Sequence, residues 1–447
     1  MSRPSKWVLH SVLAAGAAVL IFVIAHRALG DGAPDPIAQN AQSLIQAGRQ
    51  TFRFDTFGDE AFWGGTLQLH QAIEGSAKGG VGAGVSPAAA LAVGLKVDAD
   101  ALPASLVQAV DNGAVDLNSP ATTLALLQLN AVVGVTGFFN SDGSLKSVGI
   151  QCALCHSTVD QSFSAPGIPP GNIGHRLDGW PNRDLNVGAI VNLSPDLSVP
   201  AKVLGVDQAT VRKVLLAWGP GKFDAELFMD GKGFRPDGTT SAVLIPPAYG
   251  LAGVNLHTWT GWGSVTYWNA FVANLEMHGQ GRFSDSRLNN ANQFPVAAAN
   301  GFFNVTVDPA NDRITSKLAA LQVYQLAIPA PQALADPFNF AARRGQALFN
   351  GKAQCFTCHT PPLYTEPGWN AHAPADVCID NFQASRSPAQ SYRTAPLAGL
   401  FSHQKGGFYH DGRFPALSDV VNHYDSCLNL QLSDGEQSDL VQYLLTL

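Results

Sequence analysis

The sequence predicts a mainly α-helical protein whose helices are joined by long ordered loops. Three observations carry this. Apolar residues recur at three- and four-residue spacing in short separate segments, the mark of helices with one buried face. Charged residues make up only 14% of the 447 residues, while Gly and Pro number 44 and 28, which favours much chain wrapped between helices. The third observation is a repeated pattern, CxxCH, present as QCALCHS at 151–157 and as QCFTCHT at 354–360. Six Cys and twelve His predict far fewer than one such pattern by composition alone, and there are two.

The residues are Cys152, Cys155 and His156, then Cys355, Cys358 and His359. Two thiols at this spacing can add to the two vinyl groups of one haem, and the next histidine ligates the iron. A redox CxxC or half a zinc site does not require that histidine. The sequence therefore predicts two covalently bound haem c groups and two cytochrome c-like haem domains. The boundaries expected are a leader at 1–30, an N-terminal haem domain with extended insertions at 31–330, and a C-terminal one at 338–447. A net charge of −7 argues against a nucleic-acid partner and against a polybasic membrane patch. Haem is attached outside the cytoplasmic membrane, so a periplasmic location follows. The two remaining cysteines, Cys378 and Cys427, are then expected as a disulfide.

Taken in order, Arg3 and Lys6 precede an apolar run from Val12 to Ala25. It suits a signal peptide cut before Asp31, with Ala28 and Gly30 as the small residues; counted from Trp7 it could instead stay as a membrane anchor. Helices are expected at Ile37–Thr51, Thr66–Ile73 and Ala121–Leu129, with Gly58 or Asp59 capping the second. His70 on that helix is a lesser candidate for a haem ligand. The Pro/Gly-rich stretch 164–184, holding His175 and Trp180, is expected to wrap. A helix follows at Asp207–Trp218, stopped by Gly219. The acidic, turn-rich stretch 223–238 is a calcium candidate, although its spacing is not that of an EF-hand loop. An aromatic-dense segment at 255–283 contains a helix from Tyr267 to Met277. After a Pro/Ala-rich linker at 328–337, a helix at Ala341–Phe349 runs into CFTCH. A last helix capped by Ser433 closes the chain. A short helix before CxxCH and a terminal helix crossing it resemble the plan of a class I cytochrome c.

Residues 392–425, YRTAPLAGLFSHQKGGFYHDGRFPALSDVVNHYD, resemble the C-terminal signature of bacterial di-haem cytochrome c peroxidases. Their relatives include the di-haem enzyme of methylamine utilisation and the rubber-cleaving di-haem oxygenases. Thr394, Pro396, His410, Gly412 and the helix from about Leu417 carry the match. Those peroxidases place a methionine ligand at the end of that helix; here Tyr424 stands there, as in the methylamine-utilisation enzyme. The resemblance thus implies Tyr424 as the ligand opposite His359, with His410 second and His423 third. It also implies that peroxide or oxygen reacts at the His156 haem, refilled through the His359 haem by a small redox donor protein, a cytochrome c or a cupredoxin. The wide separation of the two motifs is closer to the rubber-oxygenase branch, and only His156 carries over to the first haem.

Peroxide cleavage needs an acid–base group above an open iron. Glu276 and His278, at the end of the aromatic helix, are the catalytic candidates, with His257 and Gln280 behind them. Met277 or His278 could instead ligate the first iron and close it. Trp180, Trp262 and Trp268 are candidates for relaying electrons, or core residues. Three functions stay open: a di-haem peroxidase-type oxidoreductase, which is preferred, a non-catalytic electron-transfer cytochrome, and a di-haem oxygenase acting on a hydrophobic substrate.

Overall fold

A computed structural model describes residues 35–447; the expected leader lies outside them. Among the described residues no helix is long and apolar enough to cross a membrane. The architecture is mainly helical, with ten short strands paired two by two. The principal helices are α1 (Pro36–Phe54), α2 (Leu69–Glu74), α3 (Pro120–Gln128), α4 (Gln208–Trp218), α5 (Val265–Phe271), α6 (Leu318–Ala327), α7 (Phe340–Phe349), α8 (Leu417–Leu428) and α9 (Asp434–Leu444).

Their ends follow local chemistry. Asp35 accepts from the Ile37 amide and Pro36 starts α1; Asp207 accepts from Thr210 at the start of α4. Ser433 and Glu436 form the reciprocal pair that opens α9. Asp59 behaves differently from expectation. Its carboxylate does not cap a helix but takes the Ile150 amide, 3.2 Å from each oxygen.

Two helix crossings hold the ends of the chain, and each depends on a glycine. At Gly48 of α1 a Cβ would fall 2.0 Å from the Ala320 carbonyl of α6; at Gly345 of α7 it would fall 2.0 Å from the Asp439 carbonyl of α9. Only glycine lets the helix axes come this close. Around α1 and α6 the core is Phe52, Phe57, Val133, Ala153 and Tyr324. Around α7 and α9 it is Phe349, Ala353, Val421, Leu440 and Tyr443.

A hairpin, β1 (Val135–Phe139) with β2 (Leu145–Ile150), feeds straight into Cys152. Its second strand is gripped from the side: Leu145 donates to Glu74 (3.0 Å) and Ser147 to the Glu60 carbonyl (2.8 Å). The 392–413 segment packs back on the N-terminal part. Leu244 donates to the His410 carbonyl (2.7 Å), Lys222 to the Asp411 carbonyl (2.8 Å), and the Tyr249 hydroxyl to the Gly399 carbonyl (2.9 Å).

Candidate active site

The first CxxCH is a single helical turn, Ala153–His156, pinned by the wrapping segment that follows it. Asn182 donates its amide to the Cys155 carbonyl (2.9 Å) and Gly179 to the His156 carbonyl (2.8 Å). Asp178 accepts from Ser157 (2.8 Å), Arg53 (2.5 Å) and Tyr324. The stretch 164–184 thus wraps as expected, and its wrapping fixes the motif.

Cys152, Cys155 and His156 all face one cavity of about 290 Å³. Its walls are mainly apolar, with Leu154, Val187, Leu244 and Val265 among them. Burial raises both thiols to about 12 and lowers His156 to about 4, the latter partly offset by the Pro246 carbonyl. The imidazole is therefore neutral, the form that binds a metal. Two protonated thiols and a neutral imidazole on the wall of a large apolar chamber fit a tethered haem.

Acids line the same chamber. α5 is capped by Ser264 and gives way to a π turn, Val272–Glu276, where the sequence reads as one continuous helix. The extra residue per turn re-aims the end of the element and sets Glu276 and Met277 on the cavity wall. A second π turn, Ala61–Thr66, presents Trp63, whose Nε1 donates to the Met277 carbonyl at 2.9 Å. Burial, with the negative charges of Glu226 and Asp224, holds the Glu276 carboxyl well above the usual range. It is not a solvated helix-end carboxylate; its open side faces the cavity.

His278 is a correction. Its φ of +60° turns the chain away, and its ring stacks on Phe62 (3.6 Å between centroids) outside the cavity wall. Gln280 donates its amide to the Phe57 carbonyl (2.9 Å), and neither it nor His70 lines the cavity. His257 does line it, buried, with Nδ1 lacking a partner.

The second CxxCH is set differently. His359 is held by Nδ1 against the Tyr364 carbonyl at 3.1 Å, which leaves Nε2 for a metal. Tyr424 of α8 stands beside Cys355 and Cys358, and burial raises its phenol. His410 does not share that setting. It stacks on Tyr392 (5.1 Å), lies 3.7 Å from the Asp411 carboxylate, and burial lowers it to about 4. The loop carrying it is tied to Leu244 through the His410 carbonyl, and the His410 Nε2 is buried without a hydrogen-bond partner. His423 is engaged too, through Nε2 with the Val377 carbonyl at 2.9 Å. Cys378 and Cys427 form the expected disulfide.

The calcium expectation is corrected as well. Asp224 and Asp230 are taken by the fully buried Arg386 guanidinium, at 2.9 Å and 2.8 Å, and Asp237 closes an exposed turn on Thr239. A cation of the chain itself stands where a metal was expected. Beside it Glu226 lines the cavity with Oε2 unpartnered, and burial, outweighing the pull of Arg386, pushes it up to about 7. Sequence reasoning missed Arg386 because its contacts with Asp230 and Asp224 span 156 and 162 residues. Trp262 and Trp268 are core, packed on Phe271 and each other (5.1 Å). Trp180, next to Gly179, meets Phe401 at 6.0 Å.

Over 122 residues the chain is 30% identical to the methylamine utilization protein MauG of Methylorubrum extorquens, a match covering 24% of this chain and 34% of that protein. The chain resembles the di-haem cytochrome c peroxidases. The match spans about a third of that curated relative's length. Among solved structures, the diheme peroxidase BthA of Burkholderia thailandensis E264 overlaps 52% of this chain and 78% of its own, at 20% identity and a TM-score of 0.31. A xenon-pressurized hydrazine synthase of Kuenenia stuttgartiensis overlaps 46% and 73%, at 17% identity and a TM-score of 0.28. No family model matches the chain.

Proposed function

We propose that this chain is a periplasmic di-haem oxidoreductase that reduces hydrogen peroxide in the cavity of Cys152, Cys155 and His156. Electrons arrive through the haem at Cys355 and Cys358 from a small redox protein. The observation that carries the reading is Glu276, a carboxyl with an elevated proton affinity on the wall of the chamber that the first CxxCH faces. Bound haem would supply the redox iron; the net reaction joins one peroxide with two electrons and two protons to give two waters.

The chain's own part is proton handling and shielding. Glu276 takes the proton from the inner peroxide oxygen and returns it to the outer one, the transfer that heterolysis requires. The apolar walls keep bulk water out, and the Glu226 carboxyl beside it keeps the local field negative. Neutral His156 would hold the iron of the haem tethered at Cys152 and Cys155. On the second side His359 and Tyr424 would hold the iron, and Trp180, between the first motif and Phe401, would be the relay residue.

The test has two stages. Denatured protein stained for bound haem must be coloured, with two haems per chain. Glu276→Gln must then keep both haems and lose peroxide turnover; full turnover in that variant would sink the assignment. A second reading is favoured by His257 and His403, which also line the cavity with a ring nitrogen unpartnered. Either one closing the first iron makes the chain an electron carrier, and a resting EPR spectrum with only low-spin signals would select it.

A further inference from the structure

Tyr409 holds a backbone conformation that its side chain opposes. Its φ is +66°, in the left-handed region, which a bulky residue keeps only where the surroundings hold it there. Here they do. Phe408 and Phe414 pair as a bridge, with the Phe408 amide donating to the Phe414 carbonyl (2.8 Å). Gly407 lets the turn close, since a Cβ on it would fall 2.6 Å from the Gly412 carbonyl. The Tyr409 ring is thereby clamped: edge-on to Phe414 at 4.9 Å and to His423 at 5.6 Å, and tilted against Tyr424 at 6.2 Å. His423 is itself fixed on the Val377 carbonyl, so α8 forms one side of the clamp.

The hydroxyl on that ring is buried without a hydrogen-bond partner, whereas a buried phenol normally finds one. The polar group that bears on it most is the Tyr424 phenol, and Tyr409 is in turn the hydroxyl that acts on Tyr424. Tyr424 stands beside Cys355 and Cys358. As an iron ligand it would bind through an oxygen that has given up its proton, and an anionic oxygen set away from water needs a donor. A tyrosine hydroxyl keeps its proton up to about pH 10 and has one hydrogen bond to give.

We propose that Tyr409 is a positioning residue for the second haem: its hydroxyl donates to the Tyr424 oxygen that ligates the iron opposite His359, and the strained turn at 407–414 aims it there. This rests on Tyr424 being that ligand. The donated bond draws electron density from the phenolate and weakens its hold on ferric iron, so it sets the second haem at a higher potential than a bare phenolate ligand would.

The experiment uses the full holoprotein, with both haems verified by stain. It measures the midpoint potential of each haem spectroelectrochemically and the iron–phenolate stretch by resonance Raman. Tyr409→Phe keeps the clamped ring and removes only the hydroxyl, so a residue that merely fills space would move neither reading. The second-haem potential should fall, the stretch should move to higher frequency, and the first-haem potential should stay where it is. In heavy water the wild-type stretch should shift, and that shift should vanish in the variant. A second-haem potential and a stretch both unmoved by Tyr409→Phe overturn the proposal. If the variant does not accumulate, the wild-type measurement in heavy water carries the test, and an unshifted stretch overturns it. Phenolate lines that vanish in Tyr409→Phe but persist in Tyr424→Phe would make Tyr409 the ligand and also overturn it. Wild-type protein with no phenolate lines at all would instead refute Tyr424 as the ligand, the reading on which the proposal stands.

Discussion

The two CxxCH motifs share a pattern and almost nothing else. In the first, the residues between the cysteines, Ala153 and Leu154, are buried; in the second, Phe356 and Thr357 are exposed. The first faces a chamber with Glu226, Glu276, Arg393 and His403 on its walls. The second has a phenol, Tyr424, beside its thiols, and its histidine is steadied by a backbone carbonyl. The difference teaches that the pentapeptide specifies only attachment. What a tethered haem could do is set by the chain around it: an inner site with charge on its walls suits chemistry, and a site at the surface with a side chain at hand for the far face suits electron transfer.

The largest effect should come from the inner site. Glu276→Gln is expected to lower peroxide turnover about 10²- to 10⁴-fold. Because Glu276 must start deprotonated to accept the first proton, turnover in the unmodified protein should rise with pH through its elevated pKa. That limb should vanish in the variant; a stopped-flow pH profile reads both.

Next is the bridge between the regions. Arg386→Leu leaves Asp224 and Asp230 buried without their cation and should cost about 3–5 kcal/mol, measured by denaturant unfolding at neutral pH. If the loss is confined to the second haem's surroundings, the bridge is not shared and the contrast drawn above weakens. Tyr424→Phe should act on the second haem alone. Its potential should rise as a tyrosine ligand is lost, while the first step of peroxide consumption by reduced protein stays intact.

Two acids, one near each motif, sharpen the contrast through pH. Asp59, beside the first motif, is pushed up to about 9 by burial, which outweighs the Ile150 hydrogen bond. The folded protein then binds a proton that the unfolded chain has released, so this contribution is full below about pH 4 and is lost as pH rises through 9. Glu366, near the second motif, is held below its usual value. Burial raises it, but hydrogen bonds from Thr394, His372 and Asn370 outweigh that. Its contribution is present at neutral pH and is lost on acidification. Asp59→Asn should accordingly flatten the alkaline decline of stability and leave the acid side unchanged, as thermal melts across pH will read. The smallest effect is expected at α9, where Ser433→Ala removes a helix cap for about 1 kcal/mol with both haem spectra unaltered.

Local features were legible in the sequence because the residues that make them are adjacent. The two motifs, the cap at Ser433, and the helices at 36–54, 120–128, 208–218 and 340–349 all follow from short-range pattern. The aromatic helix at 267–277 was legible only in part. Its apolar spacing fits the ordinary helical period, and nothing in VANLE announces the π turn that brings Glu276 to the cavity. His278 was lost for the same reason, since its side chain leaves the wall once the turn has widened. Long-range pairs were illegible. The acidic, turn-rich stretch at 223–238 faces an arginine from far down the chain, Arg386, a partner no window of sequence contains.

That arginine has a consequence for how the protein comes into being. Asp224 and Asp230 are translated well before Arg386, so during synthesis the upstream half carries two carboxylates destined for the interior with no cation to meet them. They can sink only when the downstream half arrives. The chamber that Cys152, Cys155 and His156 face is therefore finished last, although its cysteines emerge first.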